Sequence, residues 1–185
     1  MLTPIALRIL LAFAAASAVN TVGLNTPYFG TTPNGFKAPP RGWNTFGLQS
    51  LNPPFTLDQN AVITQCDALA DNLGQYGYEY CSLDSGWSVG DHGDDNGRID
   101  YDHSKFDILA LATHLHSKGL KLGVYILPGY FSKDKDKTIY GTNPPIKLSD
   151  VGAGTCNSLA RCAFNYNARG VQEYCNSVVN QFASW

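Results

Sequence analysis

At 185 residues, 44% of them hydrophobic and 15% charged, the chain has the composition of a globular protein with room for one domain and a real core. Its formal net charge of −2 excludes the basic surface that nucleic acid requires. No run of residues is long and apolar enough to span a bilayer, and there is neither an internal repeat nor a low-complexity tract.

Residues 1–18 read as a secretory signal. Arg8 supplies the positive charge, residues 9–15 form an apolar core, and Ala16-Ser17-Ala18 fits a small-x-small cleavage site. Export permits disulfides, and all five cysteines follow that site: Cys66, Cys81, Cys156, Cys162 and Cys175. Five is odd, so at least one thiol is free or pairs outside the chain. Residues 19–38, rich in Thr, Asn, Gly and Pro, read as an irregular lead-in to a domain covering 39–185.

A short strand is expected over Arg41-Gly42-Trp43-Asn44-Thr45-Phe46, with Gly42 allowing close backbone approach. Thr56 and Gln59 match a capping box, and Val62, Cys66, Leu69 and Leu73 then recur at helical spacing on one buried face. Cys66 belongs to that face and reads as a small buried hydrophobe. Gly74 and Gly77 end the helix.

The stretch Tyr78-Glu79-Tyr80-Cys81-Ser82-Leu83-Asp84-Ser85-Gly86-Trp87 organises the chain. It alternates as a strand, then ends in a carboxylate, a turn-forming pair and an indole. Such an acid can accept hydrogen bonds from vicinal hydroxyls, while the Trp87 indole can pack on a pyranose face; the same stretch also fits an ordinary strand capped by a turn Asp. The loop 88–103 is acidic and Gly-rich, but its acids lack the alternate spacing and terminal Glu of an EF-hand, and His92 and His103 lack metal-site spacing. No metal or other cofactor is expected.

Ser104 is a candidate cap for a second helix, with Ile108, Leu111, Ala112 and Leu115 on its core face, Gly119 at its end, and His114 and His116 at its boundary and surface. Residues 120–127 give the clearest strand, with Leu122, Val124 and Ile126 facing one way and Lys121, Gly123 and Tyr125 the other. Pro128-Gly129 stops it. About forty residues without a strong period follow, and Lys133-Asp134-Lys135-Asp136-Lys137 within them reads as a solvated turn. Cys156 and Cys162 are close enough to bridge locally in this exported loop, whereas Cys66 and Cys175 are expected to stay reduced on core faces. A third helix runs from about 170 to 185, with Val171, Cys175, Val178 and Phe182 on one face.

Strands alternating with helices imply parallel strands joined by right-handed crossovers, with chemistry at the strands' carboxyl ends. Asp84 and Tyr125 both fall at such ends.

Three stretches, in this order, resemble the start of the α-galactosidase (melibiase) family of glycoside hydrolases. Residues 39–46 (PPRGWNTF) resemble its first strand, residues 77–87 (GYEYCSLDSGW) its second, and residues 116–125 (HSKGLKLGVY) its third. The resemblance implies a (β/α)8 TIM barrel, of which this chain holds about the first three βα units, and removal of terminal α-linked galactose with retention. It also implies that Trp43, Asp84 and Tyr125 line a galactose pocket, that the partner is a small carbohydrate and that the protein is extracellular. Two departures bear on this. Ser85 stands where the family usually has a second Asp and Gly86 where it often has Cys, so a related activity such as a β-L-arabinopyranosidase is an alternative. The chain stops before the family's fourth strand, whose KxD-type motif holds the nucleophile. Neither carboxylate of a retaining pair, about 5 Å apart, is therefore assigned within it. As written, it is expected to lack glycosidase activity and to fold marginally, which leaves a non-catalytic sugar-binding remnant as a further alternative.

Overall fold

The computed structural model describes residues 39–51 and 55–185. The predicted signal (1–18) and lead-in (19–38) lie outside the described residues. Residues 40–185 form one unit.

Its first layer is a parallel sheet. Strands β1 (Gly42–Asn44), β2 (Tyr80–Leu83) and β3 (Lys121–Val124) lie in the order β1-β2-β3. Trp43 pairs with Cys81 and Cys81 with Leu122; one residue on, Asn44 pairs with Ser82 and Ser82 with Gly123. The four-residue turn α1 (Phe46–Gln49) follows β1. The long connections are helical: α2 (Gln59–Leu73) joins β1 to β2 and α3 (Ile108–Ser117) joins β2 to β3. Both bury the predicted stripe, Val62, Cys66 and Leu69 on α2 and Ile108, Leu111, Ala112 and Leu115 on α3, because only this face of each helix is continuously apolar. Leu73 departs from the stripe and is exposed.

Both predicted caps are displaced. Asp58, not Thr56, caps α2 and accepts the Ala61 N–H at 2.9 Å. Gln59 cannot close a capping box because its side chain accepts the Asp107 N–H at 2.7 Å. Asp107, not Ser104, caps α3 by accepting from Ala110 at 3.0 Å, while the Ser104 hydroxyl donates to Asp102. A carboxylate gives the stronger charge-assisted bond to a helix N-terminus, which favours Asp at both positions.

β3 ends at Val124, short of the predicted Leu127. The stretch after it carries structure that its weak periodicity hides. Strands β4 (Tyr130–Phe131), β5 (Gly152–Cys156) and β6 (Arg161–Phe164) form a small antiparallel sheet in the order β4-β6-β5. Helix α4 (Val171–Ala183) closes the unit. Its buried face is Val171, Tyr174, Ser177 and Val178, with Cys175 and Phe182 half-buried, so the face is rotated from the predicted one.

Within the lysine–aspartate run Lys133, Lys135 and Asp136 are exposed, as a solvated turn requires, but Asp134 and Lys137 are not. Asp134 is wholly buried, accepts the Gly93 N–H at 2.7 Å and pairs with Lys137 at 2.6 Å. Lys137 in turn donates to the Gly93 and Asp94 carbonyls. Burial of this acid is tolerable only with such partners. They fix the acidic loop after β2 against the segment after β4.

Two disulfides are present. Cys156–Cys162 matches the expectation. Cys66–Cys81 overturns the expected reduced Cys66: the core face of α2 lies directly on β2, so both sulfurs are buried side by side. Cys175 is free.

Candidate functional site

The alternation of the sheet decides which residues can form a site. Residues paired across parallel strands share a face. Cys81 is bonded to α2, so the row Trp43–Cys81–Leu122 faces the helices. The row Asn44–Ser82–Gly123 faces the other way. Continuing the alternation one step past the strands puts Asp84 and Tyr125 with this second row. They are neighbours there: Leu83 pairs with Val124, and the Tyr125 N–H donates to the Leu83 carbonyl at 2.8 Å. Gly123 is required at this position, since a Cβ would meet the Ser82 hydroxyl.

Asp84 and Tyr125 thus come together at the carboxyl end of the sheet, Asp84 half-buried and Tyr125 40% exposed. Trp43 is half-buried on the opposite face and packs against the core. The aromatic that β1 delivers to the carboxyl end is Phe46, 63% exposed at the start of α1. The sequence pattern places Phe46 inside the first strand, whereas β1 ends two residues earlier, at Asn44.

A hydrogen-bonded chain fixes the acid. The Asp84 N–H donates to the Thr45 hydroxyl at 2.8 Å, that hydroxyl donates to Gln49 Oε1 at 3.2 Å, and Gln49 Nε2 donates to the Ser85 carbonyl at 2.8 Å. Thr45 is wholly buried. Asp84 Oδ1 accepts the Ser85 N–H at 2.7 Å, which leaves Oδ2 for a ligand. Ser85 and Gly86 are exposed, and Gly86 has the left-handed φ of 93° that this turn needs.

Trp87 does not offer its ring to a sugar. It is wholly buried, its indole N–H donates to the Tyr125 carbonyl at 2.7 Å, and its ring meets Phe182 and Trp185 edge-on, each at 6.0 Å between centroids. It is the pillar that sets the height of Tyr125.

A cavity of about 330 Å³ is lined by Ser85, Gly86 and Trp87 from the turn after β2 and by Tyr125, Ile126 and Leu127 from the exit of β3; Asp84 itself does not line it. Arg161 reaches its base. Nη2 donates to the Leu127 carbonyl at 2.8 Å and to that of Gly129, and the guanidinium lies over the Phe131 ring, 4.2 Å from its centroid. Burial pushes the Arg161 pKa down from its ordinary value, partly offset by Tyr174 and Asp134. Burial also pushes Tyr174 up to about 12, and its hydroxyl donates to the Gly97 carbonyl at 2.9 Å. Among the described residues no group of three or more His, Cys, Asp or Glu is placed to hold a metal ion, and no helix is long and apolar enough to cross a membrane.

With the geometry in place, likeness to known proteins narrows the chemistry. A family model described as "Alpha galactosidase A" matches residues 52–132. The chain is 44% identical over 167 residues to "Alpha-galactosidase 3" of Hypocrea jecorina, covering 83% of this chain and 26% of that protein. It is 35% identical over 156 residues to "Putative alpha-galactosidase 8" of Emericella nidulans, covering 78% of this chain and 30% of that one. The chain therefore spans about a quarter to a third of the length of these relatives. In three dimensions it resembles a family 27 β-L-arabinopyranosidase from Geobacillus stearothermophilus solved with arabinose, with TM-score 0.68 and 22% identity, over 80% of this chain and 39% of that one. That likeness shows the fold alone: the described residues form a partial α/β unit of a barrel-type fold.

Proposed function

We propose, since this chain belongs to the α-galactosidase (melibiase) family of glycoside hydrolases, that the whole protein removes terminal α-D-galactose from α-galactosides with retention. The observation that carries this reading is Asp84. It is a carboxylate at the carboxyl end of a parallel strand, fixed through its own backbone, with one oxygen free and Tyr125 beside it. A carboxylate so placed takes a sugar hydroxyl through a charge-assisted bond.

In this reading the chain supplies about the first three βα units of a (β/α)8 barrel, and the row Asn44–Ser82–Gly123 faces its interior. Asp84 and Tyr125 contact the sugar. Trp43, on the helix side of the same strands, holds β1 in place beneath them, and Phe46 supplies an exposed aromatic face. The nucleophile and acid/base, about 5 Å apart in a retaining enzyme, come from the part of the family domain that this chain does not span. The protein is secreted, an assignment that its two disulfides support.

A second reading follows from Ser85. Its side chain stands exposed next to Asp84 where a second acid would bond the sugar. A neutral hydroxyl discriminates less, which favours tolerance of a β-L-arabinopyranoside, the sugar that lacks galactose's exocyclic hydroxymethyl group. The test is to express the complete catalytic domain and compare 4-nitrophenyl α-D-galactopyranoside with 4-nitrophenyl β-L-arabinopyranoside, following the first-formed anomer by NMR. Release of galactose with retention supports the proposal. Hydrolysis of the arabinoside alone replaces it with the second reading, and hydrolysis of neither overturns both.

A further inference from the structure

We infer that Arg161 is the receptor for a small monovalent anion, a halide or a small carboxylate, in the cavity framed by the β5–β6 hairpin and Pro128. The inference goes beyond the glycosidase reading and does not depend on it.

Arg161 is a buried charge without a counter-charge. It is 7% exposed, and a guanidinium carries five N–H groups and no acceptor. Nη2 gives its two to the Leu127 and Gly129 carbonyls. Nε and Nη1, which carry the rest, are buried with no hydrogen-bond partner among the described residues. The acids of this cluster are already matched: Asp134 pairs with Lys137 at 2.6 Å and Asp94 with Arg98 at 2.6 Å. Those pairs cancel, which leaves the cluster the positive charge of Arg161. Its other neighbours are neutral. They are the two carbonyls, the Phe131 ring and Tyr174, whose hydroxyl holds its proton up to about pH 12.

A buried ion is stable when it is paired, because leaving water is costly for an unpaired one. Burial accordingly holds the Arg161 pKa below its ordinary value, and Tyr174 and Asp134 offset this only in part. A water molecule in contact with the guanidinium would accept its hydrogen bonds but bring no charge. An anion brings both.

The hairpin provides the room. Arg161 lines a cavity of about 280 Å³ together with Pro128, Thr155, Cys156, Asn157 and Ala163, none of them acidic. One water takes about 30 Å³ of the liquid, so a small ion fits with part of its hydration. Asn157 Oδ1 accepts the Leu159 and Arg161 N–H groups, so the amide N–H groups are what Asn157 has left for a ligand. Thr155 adds a hydroxyl. The frame is rigid: Cys156 and Cys162 are bridged, and the Ser132 N–H donates to the Ala160 carbonyl. Donors held this firmly lose little entropy when a ligand arrives. This cavity shares only Arg161 with the one bordered by Ser85 and Tyr125, so it is separate from the residues proposed to hold the sugar.

The test is to follow chlorine NMR linewidths with this 185-residue chain in sodium chloride. Excess broadening is expected that bromide removes at constant ionic strength and that urea abolishes. Arg161→Gln should weaken binding by more than about tenfold, the loss of a charge-assisted bond. Asn157→Asp guards against a folding defect in that variant. Its carboxylate keeps the acceptor for the Leu159 and Arg161 N–H groups but fixes a counter-charge in the cavity wall, so broadening should vanish with the melt unchanged. Sodium acetate as competitor separates the two chemistries: displacement of chloride admits carboxylates, no displacement confines the site to halides, and either supports it. An absence of broadening in the folded parent chain, or broadening undiminished in Asn157→Asp, overturns the inference. A signal present in the chain but absent from the complete catalytic domain also overturns it, since an acid of the remaining sequence is then the counter-ion. Turnover of galactosides enters none of these outcomes.

Discussion

The wholly buried hydroxyl of Thr45 accepts the backbone N–H of Asp84 at 2.8 Å, joining the end of β1 to the end of β2 across 39 residues of sequence. Thr45→Val keeps the shape but leaves that N–H buried without a partner. The expected cost is about 1–3 kcal/mol of stability, read from denaturant midpoints, together with weaker sugar binding as Asp84 shifts. Thr45→Ser restores the acceptor and should recover most of both. Equal losses in the serine and valine variants would mean that packing, not the hydrogen bond, is what matters here.

Asp84 itself is expected to act on the substrate and not on the fold, since its second carboxylate oxygen has no hydrogen-bond partner among the described residues. Asp84→Asn in the complete catalytic domain should reduce kcat/KM for an aryl α-galactoside by more than about tenfold, the worth of one hydrogen bond to a charged group. Its melting temperature should stay near that of the parent. Unaltered kcat/KM would remove Asp84 from the site.

Trp43 and Phe46 separate by the same pair of measurements. Trp43 packs against the core, so Trp43→Ala should destabilise by about 3 kcal/mol or more. Phe46 is 63% exposed, and Phe46→Ala should leave stability nearly unchanged while raising KM. The reverse pattern would mean that Trp43, not Phe46, reaches the sugar.

Peptide mapping without reductant should return Cys66 linked to Cys81 and Cys156 linked to Cys162, with only Cys175 labelled by iodoacetamide after unfolding. Removing the first bridge as Cys66→Ala/Cys81→Ala should cost about 3 kcal/mol, the loop-closure value for a separation of 15 residues. A peptide joining Cys66 to Cys175 would contradict the packing of α2 on β2.

Tyr174 gives a pH test. Its pKa is raised in the fold to about 12 by burial, from 10 in the unfolded chain. A raised value means the stabilising contribution is complete below pH 10, where both states hold the proton. It is lost between about pH 10 and 12, as the unfolded state ionises first. Stability followed by urea midpoint should therefore fall across that window, and Tyr174→Phe should flatten the fall. A variant as alkali-sensitive as the parent would assign the loss to another group.

The parallel sheet and its two crossover helices were legible because each rests on a local period. Apolar residues three and four apart mark α2 and α3, and alternation marks β2. Asp84 was legible for the same reason, as a carboxylate where an alternating run stops. The caps were not, since Thr56 and Asp58 lie two residues apart and only Gln59's bond to Asp107 decides between them. The antiparallel sheet was hidden because β4 is two residues long and β5 is Gly-rich and largely exposed, so neither carries an apolar rhythm. Asp134 looks solvated within its charge run, yet its partner is the N–H of Gly93, 41 residues away. Trp87 was misread because its neighbours, Phe182 and Trp185, arrive almost a hundred residues later in the chain.

That distance has a consequence for the order of events on the ribosome. The loop after β2 is tied down by bonds that reach far forward: Gly97 to Tyr174 over 77 residues, and Ile99 to Gln181 over 82. At about 5–20 residues per second, the nascent loop waits roughly 4 to 15 s for Tyr174 to be synthesised. Through that interval Trp87 also lacks its aromatic cover. A translational pause placed between β3 and α4 would lengthen the exposure, while one placed after α4 has cleared the exit tunnel would not. Synonymous codons in the stretch encoding residues 125–170 should therefore change the yield of soluble protein more than the same substitutions made elsewhere in the message.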